Sequence, residues 1–149
     1  ILSGGGITFN GDTAASNALD DYEEGTWTAQ VSVGGSNVTT TNTDSTYVKI
    51  GRQVFLHGNI AFSVGTGTGD VNITGLPYSP AFSGYFRGIM ANDFFDESGE
   101  LYTIVSTTGP KILPRVGPTG QNDGSRTLNG NDIKDNISAR IYIGLIYQV

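Results

Sequence analysis

The sequence predicts an all-β protein, an antiparallel β-sandwich of the jelly-roll kind. Three observations lead there. Gly is abundant at 22 of 149 residues, and Thr, Asn and Ser are plentiful, while the helix builders Lys, Glu, Ala and Leu are scarce. Apolar residues recur at every second position in several segments, the period of a half-buried strand. Clusters of Gly, Asn, Asp and Ser punctuate those segments at intervals of about ten residues, the spacing of short strands in a sandwich. No internal repeat is evident, and no segment holds a 3.6-residue apolar period over ten or more residues.

Residues 1–18 carry Gly4-Gly5-Gly6 and the short apolar piece Ile7-Thr8-Phe9 without a sustained period. They read as an extension joining the domain, residues 19–149, to an upstream region. Ile1, Leu2, Ile7 and Phe9 then need a partner chain or the domain's underside to pack on. Asp20, Asp21, Glu23 and Glu24 form an acidic run too charged to be buried unpaired, so it marks a surface segment. Gly25 reads as a flexible joint after it. From there Trp27, Ala29, Val31 and Val33 alternate with Thr26, Thr28, Gln30 and Ser32, which predicts one strand over 26–33 with Trp27 in the core.

Gly34-Gly35 makes a turn, and the Thr-rich residues 36–45 suit an edge strand or a long loop. Tyr47–Ile50 starts a strand that turns tightly at Gly51-Arg52. Residues 53–64 give the clearest strand: Val54, Leu56, Gly58, Ile60, Phe62 and Val64 share one face, and Gln53, His57, Asn59 and Ser63 the other, which Phe55 interrupts. A flexible turn follows over 65–70. Val71, Ile73 and Gly75 form a short strand closed by Leu76-Pro77. Residues 84–91 and 101–107 are β-prone and flank an acidic loop. Ile112 and Leu113, between Pro110 and Pro114, predict an edge strand at best. Residues 117–136 are polar and Gly-rich, a long loop of the kind that carries function on a rigid scaffold.

The last strand is apolar on one face at Ile137, Ala139, Ile141, Ile143, Leu145, Tyr147 and Val149. Its other face begins with Ser138 and Arg140 and turns apolar at Tyr142 and Ile146. A strand apolar on both sides needs cover on both sides. The sandwich core supplies one cover, and a copy of the same chain is the simplest second.

Composition excludes several classes of function. The net charge of −6, with few charged residues of either sign, disfavours binding to duplex nucleic acid, which needs clustered Lys and Arg, and disfavours adsorption to anionic lipid. No apolar run approaches the ~20 residues of a membrane helix, so no membrane insertion is expected. There is no cysteine, hence no disulfide and no thiolate metal site.

No catalytic residues are assigned. His57, alone of its kind, falls on the outward face of a strand, and neither a nucleophile motif nor a further His or Cys accompanies it. The carboxylates Asp93, Asp96, Glu97 and Glu100 surround Phe94 and Phe95. Calcium would accept such oxygen ligands, but the spacing is not that of an EF-hand, and no metal or other cofactor is assigned. No carboxylate pair suits a glycosidase. Glycan binding uses an exposed ring against the apolar face of a sugar, with short polar side chains for its hydroxyls. Phe55, Tyr78, Phe94 and Phe95 are the rings outside the clear core faces; Asn92, Asp93, Gln121, Asn129 and Asn131 are the polar partners. The site selected is Phe94, Phe95, Asn92, Asp93 and Asn129. Three Asn-x-Ser/Thr triplets, at Asn37, Asn72 and Asn136, are of the kind an Asn- and Thr-rich chain produces by chance.

Three pieces of the chain carry a resemblance. Gly5-Gly6-Ile7-Thr8-Phe9-Asn10-Gly11-Asp12-Thr13-Ala14-Ala15 leads into Leu19-Asp20-Asp21-Tyr22-Glu23-Glu24-Gly25-Thr26-Trp27-Thr28. Then come Tyr47-Val48-Lys49-Ile50-Gly51-Arg52-Gln53-Val54 and Ile73-Thr74-Gly75-Leu76-Pro77. In this order they resemble segments of tail-fibre, tailspike and related tail proteins of tailed bacteriophages, across roughly the first half of the chain. The resemblance implies a virion protein, a homotrimer, acting outside the cell at the host surface by attachment to a glycan or an envelope protein. It brings no functional residues with it. A purely structural trimerisation cap or virion decoration module is the alternative, and part of a polysaccharide depolymerase a further one.

Overall fold

The computed structural model describes residues 7, 11, 21–82, 84–86, 89–92, 101–106, 111–116, 126–133 and 138–149. The strands in chain order are β1 (Tyr22–Thr26), β2 (Gln30–Val33), β3 (Ser36–Asn37), β4 (Thr40–Ile50), β5 (Gln53–Ser63), β6 (Val71–Thr74), β7 (Gly84–Phe86), β8 (Ile89–Asn92), β9 (Leu101–Ser106), β10 (Lys111–Val116), β11 (Arg126–Thr127) and β12 (Ser138–Gln148). They form two antiparallel sheets. One runs β1-β4-β5-β12-β8; the other runs β3-β2-β6-β10-β9-β7, with β11 added on β10. The sheets close on one core, to which β5 and β12 bring Val54, Leu56, Ile60, Phe62, Ala139, Ile141, Ile143, Leu145 and Tyr147. Val31, Val33, Val71, Ile73 and Ile112 face them from the second sheet. The protein is an all-β sandwich, as the sequence predicts.

The central pair explains the strength of the sequence signal. β12 lies against β5 over the full eleven residues, Ser138 opposite Ser63 through Gln148 opposite Gln53, without a slip. A one-residue slip would turn every buried side chain outward, so this register is fixed by burial.

The predicted single strand at 26–33 is two strands in different sheets. Tyr22–Thr26 pairs with β4 in the first sheet, and Gln30–Val33 pairs with β6 in the second. Trp27, Thr28 and Ala29 carry the chain across the core. Trp27, Ala29, Val31 and Val33 are all buried, so the alternation survives the crossing because both sheets face the same interior.

The corner is built around Trp27. Its indole nitrogen donates to the His57 carbonyl at 2.8 Å, and its backbone N–H to the Ser45 carbonyl at 3.1 Å. A side chain on Gly58 would stand 2.9 Å from the indole ring, so only glycine leaves room for it. At the same level the β4–β5 register shifts between Thr43 and Thr46, and Asp44 has φ 53°. This is a β-bulge, with Asp44 and Ser45 set against Gly58.

Backbone groups that leave one ladder before joining the next need other partners. Asn42 supplies them for Ala29: its Oδ1 accepts from Ala29 N at 2.8 Å and its Nδ2 donates to Ala29 O at 2.9 Å. Beyond it, Thr40 Oγ1 accepts from Val31 N at 3.1 Å, and Gln30 Nε2 donates to the Val31 and Val38 carbonyls. The Thr-rich stretch is therefore edge strand rather than loop: Ser36–Asn37 is β3 at the end of the second sheet, and residues 40–45 are the half of β4 that pairs with β5 alone, its polar side chains acting as backbone surrogates.

Two further expectations are corrected. β10 is interior, between β6 and β9, although it contains Pro114. On the side away from β9 it pairs with β6 at Lys111–Ile112 and with β11 at Arg115–Val116. Pro114 falls between those partners, where the ladder is interrupted and a missing N–H is tolerated. The predicted long loop at 117–136 is ordered and packed where it is described. Leu128 and Ile133 are buried, and a 3₁₀ turn spans Gly130–Asp132.

The Asn42→Ala protein should lose about 1–3 kcal/mol of unfolding free energy, because the Ala29 N–H and C=O then lie unpaired in a part-buried corner. Urea denaturation followed by Trp27 fluorescence measures it.

Candidate functional site

Two surfaces of the first sheet concentrate its unusual residues. On the outer face, cross-strand rows can be read from the registers. Val48 stands opposite Phe55, and Phe55 opposite Ile146; Thr46 stands opposite His57, and His57 opposite Gly144; Tyr22 stands opposite Ile50. Four large apolar side chains of this face are exposed: Tyr22 at 58%, Ile146 at 50%, Phe55 at 42% and Ile50 at 39%. Scattered single residues of this kind need no explanation, but neighbours on adjacent strands make a contiguous patch.

At its centre is a groove of about 490 Å³ between β4, β5 and β12, bordered by Thr46, Val48, Phe55, His57 and Ile146. Its depth comes from Gly144. A side chain there would meet nothing within 4 Å, and the residue is exposed in mid-strand. Glycine within a strand often marks a place where a ligand or another backbone comes close. His57 adds a ring at the rim, its Nδ1 2.9 Å from the Asp44 carbonyl. The groove offers apolar contact with a few polar atoms at one side. Among the described residues no three His, Asp or Glu side chains converge as metal ligands would.

The second surface lies at the β1 edge, toward the inner side. Asp21 pairs with Lys49, whose ammonium also lies 5.6 Å from the centre of the Tyr78 ring. The Tyr47 hydroxyl donates to Glu23 Oε1 at 2.9 Å, and Tyr47 meets Tyr78 edge to face at 5.5 Å. Gly25 is part of this cluster rather than a flexible joint: it pairs with Tyr47, and a side chain on it would stand 2.9 Å from the tyrosine ring. The Tyr78 and Tyr47 hydroxyls hold the Glu23 carboxyl below its ordinary value, aided by Lys49 and opposed by desolvation and by Asp21. The same carboxylate, with Tyr47, pushes the Tyr78 phenol up. Behind them Tyr147 donates to the Tyr78 carbonyl at 3.1 Å, and burial pushes its phenol up to about 12.

The site residues selected from sequence fall as follows. Asp93, Phe94 and Phe95 lie outside the described residues, as do Gln121 and the rest of the acidic loop. Asn92 ends β8 opposite Ile141. Asn129 is the N-cap of the 3₁₀ turn: its Oδ1 accepts from Gly69 N at 3.2 Å and Asn131 N at 3.1 Å, and its backbone bridges Asp70. Asp132 closes the capping box by accepting from Asn129 N at 2.8 Å, and Arg126 pairs with that carboxylate. Asn129 thus fastens its loop to the 65–70 turn. Phe55 is exposed as expected, whereas Tyr78 belongs to the β1 cluster. Sequence reasoning did not single out Gly144 or the Asp21–Lys49 pair. An isolated glycine inside an otherwise apolar strand was the available signal for the first.

Compared with models of protein families, with curated proteins and with solved structures, the chain matches none.

Gly144→Ala should raise stability by about 0.5–1 kcal/mol, since the methyl group meets open space and the strand loses a flexible residue on unfolding. A shift of the urea midpoint to higher concentration, at unchanged slope, is the expected result.

Proposed function

We propose that this chain is an attachment domain of a bacteriophage tail fibre or tailspike, a non-enzymatic homotrimer of the virion that meets a glycan or envelope protein on the host surface. The observation that carries this reading is the ordered resemblance of three sequence pieces to such tail proteins. Their arrangement in space supports treating them as one module. Tyr22–Thr26 of the first piece pairs residue for residue with Thr46–Ile50, most of which belongs to the second. Tyr78, directly after Leu76-Pro77, completes the same cluster. The resembling residues are thus framework, which agrees with their bringing no reactive groups.

The trimer reading rests on the outer face of the first sheet. Tyr142 is half-buried and Ile146 exposed on a strand whose other side is core. Neighbouring copies would cover these residues together with Phe55, and the Gly144 groove lets another chain approach closely. Ile7, the one described apolar residue of the extension, is exposed as well. Recognition is then left to residues 92–100, with Phe94 and Phe95, and 117–136, the stretches the sequence reads as loops. A structural cap without a receptor is the second reading. It is favoured by Asn129, whose side chain is engaged in holding its loop.

Assembly is tested by sedimentation velocity at micromolar concentration. The parent should sediment as a trimer, and Ile146→Asp should dissociate it, because an unpaired charge in a dry contact costs several kcal/mol. A monomeric parent would refute the trimer.

Binding to host cells or to envelope glycan is compared for the parent, Phe94→Ala, Phe95→Ala and Asn129→Asp. The last keeps the capping oxygen while removing the amide donor. Weakened binding in any variant locates the receptor site on these loops, and absent binding by a trimeric parent supports the cap. For a neutral glycan, affinity should change little with salt.

A further inference from the structure

We infer that β1 is a releasable edge strap: acid detaches it from β4 while the two-sheet core stays folded. This goes beyond the attachment reading and does not depend on it.

Of the five residues of β1, Tyr22, Glu23, Glu24 and Thr26 are exposed and Gly25 is half-buried, so no side chain of the strand enters the core. By contrast β5 alternates buried and outward positions along its length. β1 is at the margin of its sheet and has one ladder partner, β4. Hydrophobic burial, which fixes β5 and β12, contributes little to its hold.

What remains besides the ladder is polar, and it converges on two carboxylates. Asp21 pairs with Lys49, and its carbonyl accepts from Gly51 N at 2.8 Å. Glu23 accepts from Tyr47 of β4, and the Tyr78 hydroxyl of the segment after β6 helps hold its carboxyl low, with Lys49 nearby. Glu24 takes the Tyr22 hydroxyl at 2.9 Å within β1 itself and ties the strand to nothing else shown. These are the titratable groups that face the strand from each side. Lys49 is the one cation among them, and it is buried.

The sign of the pH effect follows. Folding holds the Glu23 carboxyl below its unfolded value, chiefly through the Tyr78 and Tyr47 hydroxyls. Its contribution is therefore complete above the unfolded carboxyl range and is lost as pH falls through the folded value. The opening is bounded on the C-terminal side, because Trp27, the residue after β1, is locked over Gly58. Peeling should stop there and leave the ladder groups of Thr46–Ile50 unpaired on that side.

Hydrogen exchange read by mass spectrometry, corrected for intrinsic rates, tests the strap. Between about pH 6.5 and about pH 3.5, the amides of 22–26 should lose protection while those of β5 and β12 keep theirs. In Glu23→Gln the 22–26 amides should already exchange faster at the higher pH, with much less acceleration by acid. Unchanged exchange of 22–26 across this range would overturn the inference. So would simultaneous loss of protection in β1, β5 and β12, since β1 would then open only with the whole fold. The parent's pH series decides the matter even if the variant folds poorly.

Discussion

The sandwich depends on the seat of Trp27. One indole ring fills the space above Gly58, donates its N–H to the His57 carbonyl of β5, and lets the chain leave one sheet for the other within three residues. Without that seat β1 and β2 would be one continuous strand, and the sheets would lack this connection near the N-terminal side. The bulge at Asp44-Ser45 is the matching distortion in β4. It offers the Ser45 carbonyl to Trp27 N and the Asp44 carbonyl to His57.

A corner of this kind solves a problem common to sandwiches. A strand that changes sheets must abandon its ladder, and abandoned amides in a dry interior are costly. Here Asn42, Thr40 and Gln30 take over the role of the missing strand. Their polarity is a structural requirement of the crossing, and it explains why β4 carries so few apolar residues in its first half, where it pairs with β5 alone.

The sequence was most legible where one period met one environment. β5 and β12 alternate against a single core, and both were readable as strands, including the exposed Phe55 and the outward Ile146. It was least legible where the pattern reports burial but not partnership. Trp27 to Val33 alternates without interruption through a change of sheet. Pro114 looks like an edge signal, yet a gap between two short partners accommodates it. Lys49 appears as a surface charge until Asp21, far away in the chain, is placed beside it. The groove was invisible for another reason: it is a void left by Gly144, and residue patterns describe what side chains fill, not what they leave open. The loop residues favoured for recognition lie largely outside the described residues, and Asn129 among them proved to be a cap.

The long pairing of β5 with β12 has a consequence for biosynthesis. These strands are neighbours in the sheet but stand at residues 53–63 and 138–148 of the chain. As the polypeptide leaves the ribosome, β4 and β5 can form their hairpin early, yet the second edge of β5 then has no partner. It stays open until β12 emerges. Contacts this distant along the chain form slowly, and an unpaired apolar edge is the usual starting point for aggregation. The nascent chain is thus vulnerable until β12 is made, and truncation within β12 would leave the vulnerability permanent.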